Sequence, residues 1–435
     1  NHVSWMLFIH MEVKMSHEVT YSNSPQPFTF VVSGLISVLA FLVPASSVNY
    51  PSTLYYSAIA LVFMGLFALL IRTQAHPLSK FEKIMMATWV VYPAFTALDL
   101  WFRTGWIWIE FQEPSRFLLV LPIFFMVRRY GISESAVRWG VFVGAAVAGS
   151  YALYQKQMLG IHRPGGGTSG RIAAFGDISL ILGVMSLALF QPLWRNQKRW
   201  ASVALLALGL GVIGSLASGT KGGWISMPVL CWVAVSLLER PTYAKRFAVL
   251  GGFFIVAFLV WFSVPFIQER ASVMVPAIYE YFINGKVADG SAGIRLALWH
   301  SATLIFLDNP LIGAGPGTFY VEKLALINAG LIPNVMPGLS GPHSQLFNSL
   351  FESGIFGPFM VYSIYGSFIW YCRSHLEQNK ALAVTGILMA VGFMDFGLVE
   401  VIWDINNAGV FFTVMMVLIA GKLSHDQAKV EFPVR

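Results

Sequence analysis

Long apolar stretches separated by short polar ones recur along nearly the whole chain. Stretches of roughly 17–20 residues are long enough to cross the hydrocarbon core of a bilayer as an α-helix. We predict membrane-spanning helices over twelve ranges: 28–45, 54–71, 84–100, 116–128, 136–154, 177–194, 200–217, 223–238, 247–266, 345–372, 379–397 and 407–423. The range 116–128 is short and contains Pro122, which neighbouring helices can accommodate inside a membrane. The pattern therefore predicts an all-α polytopic membrane protein.

The composition is that of a chain whose main solvent is lipid. Of the 435 residues, 56% are hydrophobic and 11% are charged, a balance that soluble domains of this length do not normally show. The net charge of +7 would suggest nucleic acid in a soluble protein, but here Lys and Arg lie at the ends of apolar stretches, where they set topology. We therefore expect membrane lipids as partners and no nucleic acid. Cys231 and Cys372 lie apart in the sequence, so no disulfide framework is expected.

The distribution of Lys and Arg predicts the orientation of the spans. When successive loops are assigned to alternate sides, nearly every short loop on one side is basic, whereas the cations of the other side are spread over longer loops. By the positive-inside rule the first side is cytoplasmic, and so are both termini. The predicted organisation is a cytoplasmic segment 1–27, spans within 28–266, a large external loop 267–342, spans within 343–423 and a cytoplasmic tail 424–435.

The external loop 267–342 is far longer than a link between neighbouring helices needs to be. It contains a predicted helix, 292–307, which is followed by Asn309-Pro310 and by a glycine-rich segment, 313–317. That segment lacks the preceding strand and following helix of a dinucleotide site. Because long loops of this kind commonly carry function, we expect the functional site on the external face.

Four of the cations on the predicted external face are candidates for a functional site. Arg163 and Arg171 bracket a run of three glycines, Lys221 lies in a very short loop, and Arg295 lies on the predicted loop helix. A guanidinium donates two parallel hydrogen bonds to paired phosphate oxygens, and a site of low dielectric constant strengthens them. The four side chains therefore predict a phosphate or diphosphate site, with Arg295 as the strongest candidate. The alternative for each is an anchor to anionic lipid headgroups.

His343 follows Gly341-Pro342 at the start of a predicted span, where proline suits a first helical turn. This position puts an imidazole at the outer boundary of the membrane. The positive end of a helix disfavours the imidazolium ion and so helps to keep the ring neutral, as a general base requires. We predict that His343 is a base, the alternative being a structural histidine at a hydrated helix end.

Carboxylates near the same face are supporting candidates. Glu352 is predicted about two helical turns deeper than His343, where it either orients a polar partner or pairs with an arginine. Asp395 and Asp404 belong to an acidic outer segment that also contains Glu400. We predict that Asp395 or Asp404 orients His343 or the substrate.

No metal or cofactor is predicted. The first external loop, 44–53, contains no carboxylate, and Asp99, Glu110 and Glu113 in the second lack compact ligand spacing. We therefore expect cationic side chains to supply the electrostatic stabilisation that a metal ion gives elsewhere.

Several segments resemble the O-antigen ligase and Wzy-type polymerase superfamily. The segment 341–357 resembles the His-(Asn/Ser) signature of that superfamily, and 293–319 looks like its arginine helix and glycine turn. The segment around Lys221 is similar to its Ser-Arg-Gly motif, although Lys keeps the charge and loses the two-pronged donor. The segment 170–177 is a looser match, with Asp where Asn is commoner. In all, the resemblance covers the chain from about Arg163 onward.

The resemblance implies a GT-C-like glycosyltransferase whose active site lies on the periplasmic face of the bacterial inner membrane. It implies transfer of O-antigen glycan from undecaprenyl diphosphate to a sugar hydroxyl of lipid A–core, in lipopolysaccharide biosynthesis. In that interpretation Arg163, Arg171, Lys221 and Arg295 bind the donor diphosphate. His343 then deprotonates the acceptor in an inverting, metal-independent displacement.

Other activities are alternatives to the ligase. An O-antigen polymerase would use a growing glycan as acceptor, and a protein O-oligosaccharyltransferase would use a protein. Only a short sequence follows Lys422, which argues against the protein-glycosylating relatives, and we place the ligase first. A transporter of an anionic substrate is the alternative from a different class, but no internal repeat is apparent and the cations cluster on one face. No oligomeric state is predicted.

Overall fold

The computed structural model describes residues 27–71, 77–167, 171–196, 198–238, 242–263, 265–287, 291–334 and 338–431. Within these ranges the regular structure is entirely helical, so the predicted all-α architecture is confirmed. The predicted N-terminal segment 1–27, apart from Pro27, lies outside the described residues, and so do the last residues of the predicted tail, 432–435.

The described helices, in chain order, are as follows: α1 Pro27–Ser46, α2 Pro51–Leu70, α3 Lys80–Asp99, α4 Trp108–Leu119, α5 Leu121–Tyr130, α6 Glu134–Gln157, α7 Ile172–Asn196, α8 Lys198–Ser218, α9 Lys221–Leu238, α10 Tyr243–Ser263, α11 Pro265–Ser272, α12 Met274–Asn284, α13 Ser291–Asp308, α14 Phe319–Asn328, α15 Gln345–Ser353, α16 Phe356–Ser374, α17 Lys380–Phe396 and α18 Asn406–Glu431. A π-helical turn, Leu100–Thr104, continues α3.

Every predicted span coincides with helical structure, and the polytopic architecture is confirmed. By length and composition, eight helical stretches among the described residues could cross a membrane: Phe28–Ser46, Pro51–Leu70, Lys80–Thr104, Glu134–Gln157, Ile172–Leu189, Trp200–Ser218, Tyr243–Ser263 and Asn406–Val430. A shorter apolar helix covers Gly222–Leu237. The predicted count of twelve spans is therefore not confirmed.

Two of the predicted spans are interrupted. The range 116–128 runs across the end of α4 and the start of α5, and Pro122 lies in the first turn of α5, where its missing N–H is not needed. The range 345–372 is divided between α15 and α16, because Gly354 takes a φ of 59° that ends the first helix. A Cβ at Gly354 would overlap the backbone carbonyl of Leu311, so the external loop packs directly against this break.

The interior of the bundle is formed mainly by α7, α17 and α18. Most of α7 and α18 is buried, whereas α10 is exposed along its whole apolar length, as expected for a helix that faces lipid. Small residues bring helix backbones together: a Cβ at Gly211 on α8 would overlap the backbone of Gly183 on α7. Such close approach lets van der Waals packing stabilise helices that gain no hydrophobic driving force from lipid.

The segment 267–342, which is predicted to be external, is anchored to the bundle through its glycine-rich part, 313–317. Ala314 and Gly315 donate backbone hydrogen bonds to the carbonyl oxygens of Phe351 and Glu352, over 2.6 Å and 3.0 Å. The guanidinium of Arg103 pairs with Asp99 and donates to the carbonyl oxygen of Gly313 over 2.9 Å. These bonds hold the end of α13 against α15. The helix predicted over 292–307 is confirmed by α13.

Gly313→Ala is expected to destabilise the fold. Gly313 has a φ of 70°, which a side chain disfavours by about 1–2 kcal/mol, and a Cβ there would overlap the carbonyl group of Glu352. Thermal unfolding in detergent, followed by tryptophan fluorescence, should show a lower Tm. Gly330→Ala is the matched control, because Gly330 has the same φ of 70° but open space around its Cα. Equal losses in both variants would contradict the role of the close packing at Gly313.

Candidate active site

His343 lies in a non-helical segment just before α15. The helix begins at Gln345, where the predicted span 345–372 also begins, and Ser344 is its N-cap, so Pro342 lies before the first helical turn and not in it. The backbone of His343 has a φ of 51°, a left-handed conformation that is rare for residues other than glycine. It is fixed by the N–H of Gln345, which donates to the carbonyl oxygens of Gly397 (2.7 Å) and Glu400 (3.2 Å).

The carboxylate of Glu400 joins His343 to Arg295. Oε1 of Glu400 is 2.7 Å from Nδ1 of His343, and Oε2 is 3.5 Å from Nη2 of Arg295. The three residues come from the connection 397–405, the segment before α15, and α13. The Glu400 side chain is only 15% exposed, so water screens both contacts weakly.

The Glu400 carboxyl is ionised at neutral pH. Burial opposes ionisation, but the hydrogen bond and electrostatic attraction of His343, together with the positive charge of Arg295, outweigh it, so the pKa of Glu400 lies below its usual value of 4.5. Because a carboxylate can only accept hydrogen bonds, Nδ1 of His343 carries the proton in this contact. The neutral ring is then left with Nε2 as its basic nitrogen.

A cavity of about 500 Å³ opens on one side of His343, and we name it the cationic cavity. It is lined by Arg163, Arg171, Arg295 and His343, so the structure brings together three of the four predicted cations and the predicted base. Arg163 is held by a 3.1 Å hydrogen bond from its Nε to the carbonyl oxygen of Ser218.

The fourth predicted cation, Lys221, begins α9 at the edge of the cationic cavity. Its neighbours Thr220 and Gly222 line the cavity, while its side chain lies outside the described part of the chain. Asp177 of α7, from the looser motif segment, also lines the cavity and is almost fully buried. The Oδ1 atom of Asp177 has no hydrogen-bond partner among the described residues.

A second cavity, of about 420 Å³, opens on the other side of His343, and we name it the acidic cavity. Its lining contains five carboxylates, those of Glu110, Glu113, Glu352, Glu400 and Asp404. Both cavities are bounded by the same four residues: Arg171, His343, Glu400 and Ile405. A group in either cavity can therefore approach the imidazole of His343.

Glu113 gives the acidic cavity a group that titrates near neutrality. Burial and the nearby charge of Asp404 raise the pKa of Glu113 to about 7, against the opposing effects of Arg116 and of the hydrogen bonds from Tyr92 and Gln345. The hydroxyl of Tyr92 donates to Oε1 of Glu113 over 2.9 Å. Near pH 7 this carboxyl can either donate or accept a hydrogen bond.

The supporting carboxylates are distributed differently from the prediction. Glu352 and Asp404 line the acidic cavity, whereas Asp395 lies near the end of α17 and lines neither cavity. The contact with His343 is made by Glu400, the one member of the acidic segment that was not proposed for it. Glu110 and Glu113, which the sequence suggested only as possible metal ligands, also line the acidic cavity.

Within the described ranges, no group of three or more His, Cys, Asp and Glu side chains is arranged to hold a metal ion. Metal-independent chemistry stays a prediction.

Comparison with known proteins bears on the same region. Residues 205–362 match a family model described as O-antigen ligase. This segment of the chain is therefore similar to the O-antigen ligase family. This match confirms the resemblance to the superfamily and covers Lys221, Arg295 and His343, while Arg163, Arg171 and Glu400 reach the site from outside the matched segment.

One curated relative is an uncharacterized protein of Haemophilus influenzae. It is 21% identical to this chain over 310 residues, which are 70% of this chain and 77% of that protein. The family match and the apolar helices together describe a multi-pass membrane protein with a glycosyltransferase-type domain.

Glu400→Gln is expected to lower stability at neutral pH and to change its pH dependence. Since the pKa of Glu400 is lower in the folded state, its contribution to stability is complete above the unfolded pKa of 4.5 and is lost as the pH falls through the folded value. The difference in Tm between wild type and variant should therefore be largest near pH 7 and shrink below about pH 4.5.

The control for this measurement is Asp308→Asn, which removes an exposed carboxylate at the end of α13. It should leave the pH profile of Tm close to that of the wild type. A Glu400→Gln difference that stays constant between pH 7 and pH 4 would show that the carboxylate charge does not hold the site together.

Proposed function

We propose that the chain transfers O-antigen glycan from undecaprenyl diphosphate to a sugar hydroxyl of lipid A–core. The reaction takes place on the periplasmic face of the bacterial inner membrane, as a step of lipopolysaccharide biosynthesis. The observation that carries the proposal is that the cationic and acidic cavities meet at His343, whose Nδ1 is bound by Glu400. The O-antigen ligase match supports glycan transfer as the reaction class.

The donor diphosphate binds in the cationic cavity. Arg163, Arg171 and Arg295 line that cavity, and Lys221 begins the helix at its edge. A guanidinium has five N–H donors and the contact with Glu400 is made through Nη2, so Arg295 keeps donors for phosphate oxygens while it contacts Glu400. These cations stabilise the charge that the diphosphate gains as it leaves.

The lipid part of the donor lies towards the bilayer. Met274 and Ile278 of α12 give the cationic cavity an apolar side, and the chain leads back from α12 through α11 to the lipid-exposed α10. A polyprenyl chain can therefore stay in an apolar environment while its diphosphate reaches the arginines.

The acceptor hydroxyl approaches from the acidic cavity. Nε2 of His343 removes its proton, and the acceptor oxygen attacks the anomeric carbon of the donor sugar. The bond between that carbon and the phosphate oxygen breaks, the lipid diphosphate leaves with the electron pair, and the single displacement inverts the anomeric centre. The carboxylate of Glu400 stabilises the imidazolium ion that forms.

His343→Ala and Arg295→Ala are expected to abolish transfer in proteoliposomes that contain a lipid-diphosphate glycan and lipid A–core. Loss of the base should cost roughly 10²–10⁴-fold in rate, and loss of one charge-stabilising donor roughly 10²–10³-fold. Arg373→Ala is the control, because Arg373 is an exposed cation at the far end of α16 and lines neither cavity. Near-normal transfer by both site variants would overturn the proposal.

The acceptor is tested by offering the same donor with lipid A–core, with a second lipid-linked glycan, or with a serine-bearing protein. Transfer to lipid A–core alone is expected. Preferred transfer to the second glycan would identify a polymerase, and transfer to protein would identify a protein O-oligosaccharyltransferase.

Transfer is also expected to continue at an undiminished rate in the presence of a chelator such as EDTA, because Arg163, Arg171 and Arg295 supply the positive charge. The measurement compares initial rates with chelator and with added Mg²⁺ or Mn²⁺. Activity that disappears with the chelator and returns with the ion would contradict the metal-independent mechanism.

A further inference from the structure

A third cavity lies within the external loop and has no part in the reaction described above. It has a volume of about 710 Å³ and lies between α12, α13 and the segment 330–333. We name it the outer-loop cavity. Its lining includes Tyr281 and Phe282 of α12, and Leu296, Trp299, His300 and Thr303 of α13.

The outer-loop cavity adjoins the cationic cavity through α13. Leu296 and Trp299 line both cavities. Residues four apart on a helix lie on one face, so Trp299 follows Arg295 towards the cationic cavity, while His300 follows Leu296 towards the outer-loop cavity. A ligand whose diphosphate contacts Arg295 can therefore extend past Trp299 into the outer-loop cavity.

The lining suits an uncharged ligand with both apolar and hydroxyl surfaces. Trp299 is held by stacking on Phe347, with ring centroids 5.3 Å apart and an interplanar angle of 15°. The hydroxyl of Tyr281 lies 3.0 Å from Nδ1 of His300, so two polar groups stand beside the aromatic rings. Among the described residues that line this cavity there is no Asp, Glu, Lys or Arg. Sugar rings present apolar C–H faces and polar edges, which match such a surface.

We propose that the outer-loop cavity binds neutral sugar residues of the donor glycan beyond the one attached to the diphosphate. This inference rests on the proposed function, because the diphosphate must occupy the cationic cavity for the glycan to reach the outer-loop cavity. Binding energy from a part of the substrate remote from the reacting bond can raise kcat/KM. The cavity therefore makes the enzyme prefer donors that carry a long neutral glycan.

The test compares two donors with the same lipid diphosphate, one carrying a single sugar and one carrying several neutral repeat units. The quantity measured is the ratio of kcat/KM for the long donor to that for the short donor. Tyr281→Ala and His300→Ala should each lower this ratio by about tenfold, the scale of a lost aromatic or hydrogen-bond contact. Tyr281→Phe, which keeps the ring and removes the hydroxyl, should lower it less.

Tyr279→Ala is the matched control, since Tyr279 lies on the same helix, is exposed and lines neither this cavity nor the cationic cavity. It should leave the ratio unchanged. If the Tyr281 and His300 variants keep the wild-type ratio, or if Tyr279→Ala lowers it equally, the distal-sugar site is overturned while the proposed function stands. If the wild type transfers the glycan of neither donor although lipid A–core is present, both proposals fail.

Discussion

The Glu400 carboxylate is the interaction on which the candidate site depends. Its two oxygens contact His343 and Arg295, which belong to segments more than forty residues apart in the chain. Because the carboxylate is largely buried and remains ionised, each contact is stronger than an exposed pair would be. This one carboxylate therefore fixes the tautomer of the His343 imidazole and the position of the Arg295 guanidinium. It also lies at the boundary between the cationic and acidic cavities.

The glycine-rich segment of the external loop makes that contact possible. Gly313 and Gly354 let the loop approach the break between α15 and α16 at distances that no side chain would permit. Arg103 then holds the same segment from the end of α3. Since α13 ends just before this segment and His343 lies just before α15, the packing that joins the two glycines also sets the distance between Arg295 and His343.

Local properties of the sequence predicted the helices and most of the residues that line the candidate site. They did not predict the features that depend on tertiary contacts. The length of an apolar run is a local property, and each predicted span falls on helical structure among the described residues, although 116–128 and 345–372 are each divided between two helices. The break at Gly354 and the left-handed backbone of His343 depend on contacts with Leu311 and with the connection 397–405, which no local pattern records. For the same reason Glu400 could not be distinguished from Asp395 and Asp404, because the fold of that connection decides which carboxylate reaches the imidazole.

In the proposed reaction, the unequal charge of the two cavities would let one histidine serve a transfer between two sugars. During the proposed displacement the attacking acceptor oxygen gains positive character until its proton passes to His343, while the diphosphate oxygen gains negative charge. Carboxylates on the acceptor side and guanidinium groups on the donor side each match the charge that develops next to them. Arg171 lines both cavities, so its charge acts on the donor and the acceptor together. His343 lies at this boundary, where its basic nitrogen accepts a proton from the acidic side while the leaving group is stabilised on the cationic side.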